Sequence, residues 1–97
     1  MCTYLVAYES KLPAKDAEQA LQEAFGADVV PVRPGLAAIL YGGHAGALEA
    51  NITHVLGPLP FLLLVRVHDD WLLRLPPRYG ETQTRLESMF PDHRYIS

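Results

Sequence analysis

Few residues in this 97-residue chain have the type and spacing that chemistry requires. Glu9 follows a run of β-branched and aromatic residues, 3–8, and a carboxylate at a strand end can hold a metal ion or act as a base. Two copies of Glu9 across a twofold axis, or Glu9 with Asp69 and Asp70, would offer Mg²⁺ oxygen ligands. A solvated carboxylate explains the same residue without chemistry. His68-Asp69-Asp70-Trp71 is the densest polar group, and imidazole beside carboxylate suits proton transfer or metal ligation. Neighbours in a strand point to opposite faces, however, so His68 and Asp69 would not converge, and Asp69-Asp70 reads more simply as a hairpin turn.

The other constellations are weaker. Asn51 and His54 share a helix face, but no HExxH or CxxC spacing joins them, and a surface or interface role suffices. Gly42-Gly43-His44-Ala45-Gly46 lies between a strand and a helix, where backbone N–H groups could hold a phosphate. No GK[ST] follows, GxGxxG is not matched, and tight-turn geometry accounts for the glycines. Tyr4, Tyr8 and Tyr41 could stack on RNA bases, but the basic-aromatic pattern of RNA-recognition modules is missing and core packing explains them. Cys2 is the only cysteine, which excludes an internal disulfide, a zinc ribbon and a CxxC site and suits a reducing compartment.

Composition narrows the classes further. The chain is 49% hydrophobic and 20% charged, enough apolar matter for one core and too short for two. Its net charge of −3 argues against a surface that grips a polyanion all round. All of that excess lies in residues 1–65; residues 66–97 balance, and their arginines, including Arg66, Arg74 and Arg78, could form a local basic stripe or simply solvate a mixed surface. The longest apolar stretch, 59–65, contains Pro60 and falls far short of the ~20 residues of a membrane span. With no signal-peptide pattern at the start, a cytoplasmic location is expected.

The elements that must position these residues follow from periodicity. Residues 3–8 predict a central strand, with Tyr4, Val6 and Tyr8 on one face. Ala17, Ala20, Leu21, Ala24 and Phe25 recur at helical spacing between Pro13 and Gly26. Residues 28–33 predict an edge strand because of Pro31, and 36–41 predict a regular one after the Arg33-Pro34-Gly35 turn. A second helix over 45–56 carries Ala45, Leu48, Ile52, Val55 and Leu56 on its apolar face, with Glu49 as its only Asp, Glu, Lys or Arg. A strongly apolar strand over 61–67 closes a β-α-β-β-α-β order. That order predicts an α+β, ferredoxin-like split βαβ sandwich of strand order 4-1-3-2 with a core over 3–68. The remainder, 69–97, predicts a fifth short strand over 71–75, a stop at Pro76-Pro77 and a helix over 81–90.

The 61–67 strand would form the second sheet edge, long and apolar, and such an edge invites a partner. The tail 69–97 would cover it within its own chain or across a homodimer. The expected interface comprises Phe61, Leu63, Val65, Trp71 and Leu73.

With Tyr4-Leu5-Val6-Ala7-Tyr8-Glu9, the ββ turn, the second helix and Leu62-Leu63-Leu64-Val65 in place, the chain resembles a group of small ferredoxin-like dimers. These are the CRISPR-associated protein two group, the virulence-associated protein D ribonucleases and the SinR-like proteins. The resemblance covers about residues 3–75 and is one of pattern. In the nuclease members an acidic residue, usually Asp, ends the first strand and meets its copy in the dimer for metal-dependent phosphodiester cleavage. Glu9 alone matches that motif, one methylene longer. The resemblance implies a homodimer and a nucleic-acid-associated protein, a Mg²⁺-dependent ribonuclease using Glu9; the local arginines Arg66, Arg74 and Arg78 would then supply its nucleic-acid contacts. The other expectation is a non-catalytic interaction or regulatory dimer that offers a helix face or the edge strand to a protein partner.

Overall fold

The computed structural model describes residues 1–68 and 71–90. Its elements run β1 (Cys2–Glu9), α1 (Ala14–Phe25), β2 (Val29–Arg33), β3 (Leu36–Tyr41), α2 (Ala45–Leu56), β4 (Phe61–Arg66) and α3 (Gly80–Met89). The four strands form one antiparallel sheet in the order β2-β3-β1-β4, an α+β arrangement compatible with a ferredoxin-like split βαβ. Among the described residues, no helix is long and apolar enough to cross a membrane.

One face of the sheet is roofed by α1 and α2. Tyr4, Val6 and Tyr8 of β1 join Val29, Ala37 and Ile39 beneath Ala17 and Leu21 of α1 and Leu48, Ile52 and Leu56 of α2. The helices sit there because their apolar residues repeat at the spacing of one helical face. Their ends are set by residue chemistry. Gly26 takes a φ of 58° after α1 and Gly57 a φ of 80° after α2, backbone angles that residues with a Cβ avoid. Gly35, φ 81°, is needed twice over: a Cβ there would stand 2.9 Å from the Tyr8 carbonyl, while the Gly35 carbonyl accepts the Tyr8 N–H at 2.9 Å. Pro31 lies in edge strand β2, beside an irregularity in register between Pro31 and Arg33.

The opposite face is built differently from the expectation. Residues 71–75 form no fifth strand, and the sheet has four among the described residues. Burial alternates along the segment as it would in a strand: Trp71, Leu73 and Leu75 are half-buried, Leu72 and Arg74 exposed. The apolar positions are spent on a sheet face instead of a ladder. Leu73 and Leu75 pack with Leu5, Val32, Met89 and Phe90 around Val30, Ala38 and Leu86, and Trp71 meets Phe90 edge-on at 5.0 Å. The helix expected over 81–90 is α3, and its C-terminus is pinned to β1 by the Thr3 hydroxyl, which donates to the Met89 carbonyl at 2.7 Å. The Asp69-Asp70 turn lies outside the described residues.

Candidate functional site

The arm 71–90 covers the second face over β2 and β3 and reaches Thr3 and Leu5 of β1. Leu5 packs against the arm's cluster; beyond it, cross-strand pairs carry β1 residues alongside β4, with Leu5 opposite Val65, Ala7 opposite Leu63 and Glu9 opposite Phe61. Directly opposed residues share a face, so Phe61, Leu63 and Val65 form an apolar row on the half that the arm's cluster does not include among the described residues. They are 48%, 50% and 47% exposed. β4 has β1 on one side and, among the described residues, no strand on the other. An apolar row on a free edge is what soluble proteins normally blunt with charge, proline or a covering element.

On the roofed side of the same edge, Leu62 and Leu64 line an open groove of about 220 Å³ with Ala45, Gly46 and Glu49 from the start of α2. The exposed Glu49 supplies the only carboxylate lining it. The sequence held half of this signal, since Glu49 is the only Asp, Glu, Lys or Arg of α2. It did not show that Glu49 stands over Leu62 and Leu64.

The predicted catalytic set does not assemble within one chain. Glu9 is exposed at one end of the β1–β4 ladder, opposite Phe61, whereas Arg66 is opposite Tyr4 at the other end. Five residue steps at ~3.4 Å place their backbones about 17 Å apart. Arg74 and Arg78 are exposed on the arm, and the Arg78 guanidinium sits 4.9 Å from the centre of the Tyr79 ring. Among the described residues no three His, Cys, Asp or Glu side chains come together as metal ligands. Glu9 by itself therefore does not fit Mg²⁺, which would need further oxygens from outside this group. His68 is exposed, and its neighbours Asp69 and Asp70 lie outside the described residues.

Two other expectations resolve as structural roles. Tyr4 and Tyr8 are 5% and 7% exposed beneath the helices, so neither ring can stack on a base. The Tyr4 hydroxyl donates to the Gly43 carbonyl at 3.0 Å, and burial, with a smaller push from the Glu18 carboxylate, raises the Tyr8 phenol above its ordinary value. Tyr41 is half-buried, and its hydroxyl accepts from the Asn51 amide at 2.6 Å. The Gly42–Gly46 loop is a helix cap: the His44 side chain accepts the Ala47 N–H through Nδ1 at 3.2 Å, occupying a donor that a phosphate would need. A smaller cavity of about 140 Å³ lies by the Arg66 end, lined by Met1, Cys2, Thr3, Arg66, Val67 and Met89.

Comparison with protein-family models and with curated proteins gives no match, so the likeness to the CRISPR-associated protein two group stands on residue pattern alone.

Proposed function

We propose that this chain is a ferredoxin-like, non-catalytic interaction module that works as a homodimer, with β4 as its contact element. One observation carries the reading: Phe61, Leu63 and Val65 stand about half exposed in a row on a strand whose outer edge is unpaired among the described residues. The arm residues expected from the sequence to join them, Trp71 and Leu73, are half-buried against their own chain, which supports narrowing the reading to the β4 row. Size-exclusion chromatography with light scattering tests it. A mass of twice 10.8 kDa at micromolar concentration is expected, and a species of 10.8 kDa alone would contradict it.

A second reading has one observation in its favour. Glu9 is exposed and shares the open face with the β4 row, directly opposite Phe61. A dimer packed face to face through that row would bring two carboxylates to its rim, as metal-dependent phosphodiester cleavage in the resembling nucleases implies. Incubation with labelled RNA and Mg²⁺ decides it: cleavage that Glu9→Ala abolishes supports a ribonuclease, and intact RNA removes it.

A further inference from the structure

The interaction reading leaves open how two copies meet, and the backbone of β4 narrows the answer. The Val67 N–H donates to the Thr3 carbonyl at 2.8 Å, continuing the β1–β4 ladder. In an antiparallel pair alternate residues aim both backbone groups at the neighbouring strand, so Phe61, Leu63 and Val65 face β1. The N–H and C=O of Leu62, Leu64 and Arg66 then point outward at the free edge. Their side chains lie on the roofed side, where Leu62 and Leu64 line the groove beneath Glu49.

Resting on that interaction reading, we infer that the outer edge of β4 pairs antiparallel with β4 of a second copy about a twofold axis at Leu64, joining two sheets into one, and that the second copy's Arg66 seats in the groove beside Glu49. Self-complementarity selects this register. With Leu64 opposite its own copy, Leu62 meets Arg66, and every outward N–H and C=O of Leu62, Leu64 and Arg66 finds a partner. On the open face Leu63 meets Val65 and Phe61 meets Val67, all apolar. On the roofed side the guanidinium arrives over Leu62, next to the groove's single carboxylate, and the twofold axis repeats the pair. Glu49 and Arg66 are both exposed. Centring the axis on Leu63 instead sets Arg66 against Pro60, which has no N–H to give and no charge to offer. In the Leu64-centred dimer the two Glu9 backbones stand about 25 Å apart, six residue steps along and three strand spacings across. That geometry excludes a shared metal between them.

Single cysteines placed in a Cys2→Ser background test the register under mild oxidation. Opposed residues in a hydrogen-bonded pair have Cα atoms about 5.5 Å apart, within reach of a disulfide. Leu64→Cys should cross-link to itself, whereas Leu62→Cys and Arg66→Cys should cross-link only when mixed. Self-linking of Leu63→Cys, with linking of Leu62→Cys to Leu64→Cys, would overturn the register. A dimer by light scattering that none of these pairs captures would overturn edge pairing and leave the interaction reading standing. A monomer by light scattering would remove both. As an independent check on exposed residues, Glu49→Arg and Arg66→Glu should each weaken dimerisation about ten-fold, and mixing the two variants should restore it. Failure of the mixture to recover would overturn the seating of Arg66 beside Glu49.

Discussion

The two faces of the sheet are covered by unequal means. On one, two twelve-residue helices bury Tyr4, Val6, Tyr8 and Ile39 under Leu21, Leu48 and Ile52. On the other, one short helix and an extended segment cover β2 and β3 and reach Thr3 and Leu5 of β1, with Leu86 as the sole α3 residue that is fully buried. The same sheet thus carries one face closed by helices and, next to β4, one that the described residues leave about half exposed. The difference lies in β4 itself: Leu62 and Leu64, on the helix side, pack against the core, and Phe61, Leu63 and Val65, on the other side, stay about half exposed.

Substitutions can break this comparison, and the largest effect is expected on the roofed face. Ile52→Ala removes a side chain with no exposed surface and should cost about 3–4 kcal/mol in denaturant-induced unfolding. Leu86→Ala, under the thinner cover, should cost about 2–3 kcal/mol and speed amide exchange in α3 more than in α1 or α2. Equal loss of protection in all three helices would show that the two covers form one cooperative unit.

Alkaline pH probes the roofed face from another side. The Tyr8 phenol is held above its ordinary value of 10.0 by burial and then by Glu18. The folded state therefore keeps its proton more tightly than the unfolded chain. The associated stability is fully present below pH 10 and declines as pH rises through the folded value. Urea midpoints above pH 10 should fall less steeply in Tyr8→Phe than in the wild type. The smallest effect on the monomer is expected at the open face. Leu63→Thr should change unfolding stability by no more than about 0.5 kcal/mol, while lowering the dimer fraction seen by light scattering. A large loss of monomer stability there would mean that the row serves the fold after all.

Much of this arrangement was legible in the residues. Pro31 marked an edge, Gly26 and Gly57 marked helix ends, and the alternation in residues 3–8 placed Tyr4, Val6 and Tyr8 in one layer. What misled was the alternation of Trp71, Leu73 and Leu75. Period two records that alternate side chains are buried, and an extended segment lying across a sheet face satisfies it as well as one hydrogen-bonded in a ladder. The candidate site was legible as an apolar β4 and a solitary Glu49, but not as their meeting in one groove, since that depends on how α2 lies over the sheet. Nor could sequence separation reveal that Glu9 and Arg66 occupy opposite ends of one ladder, because that requires the register.

Amide hydrogen exchange at single-residue resolution, followed as a function of protein concentration, tests the role of β4 most directly. Leu62, Leu64 and Arg66 should exchange fast when dilute and slow markedly as copies associate, while Leu63 and Val65, already bonded to β1, change little. Fast exchange at Leu62, Leu64 and Arg66 at every concentration, in a sample that light scattering shows to be dimeric, would contradict the account.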